Sequence, residues 1–329
     1  MIFLLSLTVL IGIIWMFVGI IYGNATKDEN EFNLFMITNL IFYALIAFGM
    51  PFLSELKVIQ EIIPIEYMPA KPLKIIPLGD FIRISILMFP VAFFSIAGFF
   101  LLAAAMRKGS HSVAWGIMQA AIVMPFLTGW LLFGDKVNLI SISGMVLIII
   151  SLVFMVKGKQ LGGEEENINE LAKDHKAFLF WSFAAFLGTG LGQVGTLLPN
   201  KITLFCPEST PFNEDVLAWR IPLISLFWLI LWCFVLIKNR SCFSLKQLKN
   251  GFLYAIVTFA GEALLFVAID ILSKDNLSGI VYPLAVGFCI VFFSLFCMIV
   301  KHEKLHLWEK VGLGVLTLGL FTQAIATIF

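Results

Sequence analysis

GDKVNLISISG, residues 134–144, and HEKLHLWEKVG, residues 302–312, are two copies of one pattern, at an offset of 168 (302 less 134). Asp135 matches Glu303, Lys136 matches Lys304, Leu139 matches Leu307 and Gly144 matches Gly312. Each copy leads into the last of five apolar segments. The chain therefore reads as one membrane module used twice.

Taken alone, His302 to His306 has the H-E-x-x-H spacing of zinc hydrolases. On a helix the two imidazoles would share a face, and Glu303 would activate a metal-bound water. A catalytic zinc needs a third protein ligand. After His306 only Glu309 is on offer, while His111 and His175 are far away in sequence. The first copy has Gly134 and Asn138 where the second has histidine, so it could not hold zinc. The expectation is an acidic turn with no metal, no cofactor and no catalytic residue. An intramembrane zinc hydrolase is the alternative.

Composition points to the membrane. The 329 residues are 60% hydrophobic and 13% charged, against about a quarter charged in soluble domains. Net charge is +1 and no basic patch is present, which gives no sign of a nucleic-acid partner. The cysteines at 206, 233, 242, 289 and 297 follow no ligand spacing.

Apolar runs of the length a bilayer-crossing helix needs fall at 2–22, 34–53, 84–106, 112–133, 137–156, 177–197, 217–237, 251–272, 277–300 and 307–328. The first lacks a positive n-region and is long enough to span, so it reads as a helix rather than a signal peptide. The expected fold is an all-α integral membrane protein with ten transmembrane helices in two inverted five-helix repeats. The first repeat covers 1–156, a polar linker 157–176 and the second repeat 177–329. Five is odd, so the second repeat must enter the membrane from the opposite side, as in many alternating-access transporters. Lys and Arg concentrate in the odd-numbered loops. That puts both termini outside a multi-pass protein of the cell (inner or plasma) membrane.

Polar side chains within spans belong on protein or water faces rather than on lipid. At helical spacing they form stripes: Asn39 and Tyr43; Ser112, Trp115 and Gln119; Thr189 and Gln193; Tyr254, Thr258 and Glu262. Asn39, Tyr43, Trp115, Gln119, Gln193 and Tyr282 are the candidate substrate-binding residues. Glu262, near the middle of its span, is the candidate for proton coupling. Arg220 and Asp270 read as a salt bridge near one membrane face. Gly188 and Gly192 have the G-x-x-x-G spacing of close helix packing. Pro125 and Pro283 fall in corresponding spans, a pointer to a transporter's site, yet Asp135 follows its proline by 10 residues and Glu303 by 20.

FLLAAAMRKGSHSVAWGI (100–117), the long connection at 54–83 and the acidic turns followed nine residues later by glycine resemble the drug/metabolite transporter superfamily. Within it the chain is similar to EamA-type ten-helix exporters and to the rhamnose-proton symporter branch. The resemblance implies a secondary active transporter of a small organic solute, a sugar or other metabolite, with a central cavity enclosed by the first four helices of each half. It also implies peripheral helices five and ten, which could join two copies as a homodimer. A non-transporting receptor or assembly subunit is the other rival.

Overall fold

The computed structural model describes residues 2–25, 29–54, 73–108, 111–162, 168–205, 211–236, 244–300 and 306–326. Most of HEKLH, His302 to Leu305, lies outside them, as do the side chains of Ser112 and Glu309. Among the described residues there is no strand. The helices are α1 (Ile2–Ala25), α2 (Glu29–Ser54), α3 (Leu78–Lys108), α4 (His111–Gln119), α5 (Val123–Leu131), α6 (Leu139–Gly162) and α7 (Ile168–Leu197). They continue with α8 (Ile202–Phe205), α9 (Glu214–Leu217), α10 (Arg220–Leu236), α11 (Leu245–Lys274), α12 (Val281–Ile299) and α13 (Leu307–Ala326).

Among the described residues, seven segments are long and apolar enough to cross a membrane, lying in α1, α2, α3, α7, α10, α11 and α12. Large apolar side chains face outward along them: Leu45 is 62% exposed, Ile86 65% and Phe180 64%. In water such a surface would drive aggregation, whereas lipid solvates it. The chain is thus an all-helical protein of multi-pass membrane type. Shorter apolar helical stretches run over Ile117–Leu131 and Leu139–Phe154.

The run expected as one helix over 112–133 is divided into α4 and α5 by a 3₁₀ turn at Ala120–Ile122. The cause is Pro125, which has no N–H to donate and whose ring crowds the carbonyl four residues back, at Ala121. A second 3₁₀ turn, Ser278–Ile280, leads into α12 just ahead of Pro283. Pro125 O would lie 3.4 Å from a Cβ on Gly279, four residues before Pro283, so the two prolines come near one another. The polar linker expected over 157–176 is largely taken up by the C-terminal end of α6 and the N-terminal end of α7.

Positions 138 and 306, equivalent in the two copies of the opening pattern, do the same local work. Asn138 Oδ1 accepts from Ser141 N at 2.8 Å at the start of α6, and His306 Nδ1 accepts from Trp308 N at 3.3 Å at the start of α13. Each supplies an acceptor to the orphan N–H groups of a helix N-terminus. His306 is accounted for as a helix-start residue. No group of three His, Cys, Asp or Glu able to hold a metal occurs among the described residues.

Several seams are close enough to exclude side chains, among them the following. A Cβ on Gly188 would sit 3.1 Å from the backbone of Gly98 and of Phe94, and this joins α7 to α3. A Cβ on Gly144 would sit 3.0 Å from Gly319 O, and this joins α6 to α13. Gln323 Nε2 donates to Ser141 O at 2.7 Å across the second seam. Elsewhere α1 packs on α11 and α12, α2 on α10 and α11, α10 on α3, and α7 on α4 and α5. Residues from nearly all of these helices meet in one buried core.

Candidate functional site

Helix α11 orders the interior. At 1.5 Å per residue, Tyr254, Glu262 and Asp270 stand about 12 Å apart along it. Tyr254 belongs to one end of the bundle, Glu262 to the middle and Asp270 to the other end.

At the middle is a cavity of about 110 Å³, many times the roughly 10–15 Å³ that one water requires. It is walled by α1, α3, α4, α7, α10, α11 and α12. Trp15, Trp115, Trp228 and Tyr282 supply flat apolar faces, and Ser95, Gln119, Thr189, Gln193, Thr196 and Thr258 supply hydroxyls and amides. Among the described residues of the lining, Glu262 is the one acid, and there is no Lys, Arg or His. A Cβ on Gly261 would meet Trp15 Nε1 at 2.6 Å, so the bare position beside Glu262 makes room for that indole.

Among the described residues, three polar atoms on the lining, Trp115 Nε1, Gln193 Oε1 and Thr258 Oγ1, are buried without a hydrogen-bond partner. A buried orphan of this kind costs about 1–3 kcal/mol. A donor and an acceptor left open on two walls of one cavity are what a hydroxylated molecule could satisfy together.

Of the candidate residues, Trp115, Gln119, Gln193, Tyr282 and Glu262 line this space. Asn39 and Tyr43 do not, because the polar face of α2 is turned toward α10 and α11. Tyr43, fully buried against Trp228 and Phe259, donates its hydroxyl to Glu262 Oε2 from behind the wall. It holds the Glu262 carboxyl from outside the lining. Asn39 is buried, with Oδ1 unpartnered. Tyr43→Phe is expected to destabilise the protein by about 1–3 kcal/mol, the cost of stripping a buried group of its partner. Thermal unfolding in detergent checks this, and the effect should shrink when Glu262 is already Gln.

Thr196 continues the α7 stripe of Thr189 and Gln193 at i+7, so periodicity could have found it. Its hydroxyl pairs with that of Tyr282 at 2.7 Å. Trp15, Ser95 and Trp228 stand singly in apolar runs and left no pattern to read.

Different contacts lie toward the two ends of the bundle on either side of the cavity. At one end Tyr22 meets Phe32, Phe35 and Tyr254 with ring centroids 5.7, 6.4 and 6.0 Å away, and its hydroxyl donates to Phe99 O at 2.6 Å. At the other end Arg220 grips Asp270 through two bonds of 2.9 and 2.7 Å, joined by Asn200 at 3.0 Å. Beside that pair, Lys201 binds Asp135 at 3.0 Å.

No family model matches the chain, and no curated protein matches it. A solved structure described only as "Crystal structure of protein" is similar over 97% of this chain and 98% of that one, with a TM-score of 0.58 and 10% identity. At that identity the likeness is one of fold alone, and it extends over the whole chain.

Proposed function

We propose that the chain is a secondary active transporter, a member of the drug/metabolite transporter superfamily, that carries a small organic solute by alternating access. In this reading α4 and α5 together form one span, and α1, α2, α3, α6, α7, α10, α11, α12 and α13 form the other nine. The observation that carries it is the central cavity, lined by aromatic, aliphatic and polar side chains, with Glu262 as the acid in its described wall.

Helix pairing supports the inverted repeat. Advancing every span by five places turns the α3–α7 contact into α11–α1 and the α2–α11 contact into α10–α3. It turns α1–α12 into α7 against α4 and α5, and carries α6–α13 and α2–α10 onto themselves. Two copies of one module related by a half-turn would produce this list.

The lining favours a neutral hydroxylated solute such as a sugar. Indole and phenol rings offer stacking faces, and Gln119, Gln193 and the threonines offer hydrogen bonds. An anion would meet Glu262 with no cation to offset it. The outer faces of α6 and α13, where Val153 is 60% and Phe321 64% exposed, would meet lipid or a second copy.

A screen of neutral sugars and related metabolites against the purified protein tests the reading. Binding is expected to raise the melting temperature and to alter intrinsic fluorescence, since three tryptophans line the cavity. Trp115→Phe should weaken both responses. A solute that binds with no dependence on any lining residue would contradict it.

A further inference from the structure

Asp135 and Lys201 form an ion pair at 3.0 Å with side chains only 3% and 7% exposed. Asp135 Oδ2 also accepts from Ser278 Oγ at 2.9 Å and from Gly279 N at 2.8 Å. Lys201 Nζ donates to Asn276 Oδ1 at 3.0 Å, and Lys136 N donates to Asn276 O at 2.9 Å. Asn276 holds the tight turn between α11 and α12 with φ +56°, a conformation that asparagine tolerates better than most residues. A Cβ on Gly129 would come within 2.7 Å of Asp135 Oδ2, so the carboxylate is pressed against bare backbone on that side.

Apart from the Lys201–Asn276 bond, every link in this knot runs from the turn after α5 to the end of α7 or to the α11–α12 turn. It therefore ties the first half of the chain to the second. A buried ion pair is weak evidence of stabilisation, because desolvation offsets the attraction; its better-attested use is to select one arrangement over another. Loss of one partner leaves the other charge buried and alone, which disfavours the closed arrangement strongly. Toward the opposite end of the bundle, Tyr22 packs against Phe32, Phe35 and Tyr254.

The knot lies next to the cavity. Lys201 follows Thr196 by five residues and Tyr282 follows Gly279 by three, and the Thr196–Tyr282 bond ties the same two segments inside the lining. A solute hydroxyl that takes either partner would loosen α7 from α12 directly beneath the knot.

We propose that the Asp135–Lys201 knot is the gate on one face of the membrane, and that solute binding releases it through the Thr196–Tyr282 bond. The proposal rests on the transport reading. Its test is made without solute, so that failure of the gate and failure to find a transported molecule are separate results.

Ser95→Cys, in a chain whose five native cysteines are replaced, is labelled in sealed vesicles with a membrane-impermeant maleimide. Asp275→Cys, exposed at the α11–α12 turn, marks the side on which the knot lies. From that side, Asp135→Asn and, separately, Lys201→Met are expected to raise the labelling rate by about tenfold or more, as the open state gains population. From the other side labelling should not rise. A rate that stays unchanged in whichever variant folds, or one that rises equally from both sides, overturns the gate. Adding a sugar that binds should accelerate labelling of the otherwise unaltered chain from the knot side, and Tyr282→Phe should blunt that response.

Discussion

Glu262→Gln is expected to abolish pH-driven accumulation of solute while leaving solute exchange at equal pH intact. A gradient of one pH unit is worth about 1.4 kcal/mol per proton, which sustains roughly a tenfold concentration ratio. Glutamine keeps the volume and an oxygen for the Tyr43 hydroxyl, yet it cannot carry a proton across. Accumulation in proteoliposomes should fall from about tenfold toward unity per pH unit applied. Among the described residues of the lining there is no Lys, Arg, His or second acid to take over the proton. Full accumulation by the variant would remove Glu262 from the mechanism.

Gly188→Leu is expected to damage the fold severely. A first carbon at that position would already be 3.1 Å from backbone atoms of Gly98 and Phe94, and backbone cannot step aside as a side-chain tip can. Leucine adds three more carbons, so α3 and α7 must separate. Overpacking of this kind costs about 1–3 kcal/mol and sometimes more, against a total stability of about 5–15 kcal/mol for folded domains. The damage should reach function as well, since α3 carries Ser95 and α7 carries Thr189, Gln193 and Thr196 of the lining. Size-exclusion behaviour and melting temperature check it. Gly314→Leu is the control, because nothing lies within 4 Å of a Cβ there, and it should leave both unchanged. Equal tolerance of the two substitutions would mean that the α3–α7 seam is looser than described.

The sequence exposed what is periodic or costly. Glu262 stood out because an acid in the middle of a long apolar run is expensive and therefore informative. The stripes on α4, α7 and α11 pointed to the cavity because helical spacing puts i, i+4 and i+7 on one face. Gly188 and Gly192 were legible through their spacing, and the Arg220–Asp270 pair because both residues fall at the same end of neighbouring helices. What stayed hidden depends on which helix faces which. The stripe of Asn39 and Tyr43 has the same spacing as the others, yet α2 turns it toward α11, so Tyr43 reaches the cavity only through Glu262. Asp135 read as part of a turn repeated at Glu303, and nothing local joined it to Lys201, 66 residues away (201 less 135). That Pro125 and Pro283 come near one another was hidden for a related reason, since spacing along the chain does not show which helices meet.

Counterflow tests alternating access most directly. Proteoliposomes are loaded with a high concentration of an unlabelled solute chosen from the binding screen and diluted into a trace of the labelled form. A carrier with one cavity returns to the outside more often with labelled cargo, so internal label should overshoot its equilibrium value and then decay. Smooth equilibration without an overshoot would mean a pore, and no uptake of a solute that binds would mean a receptor; either result would contradict the account.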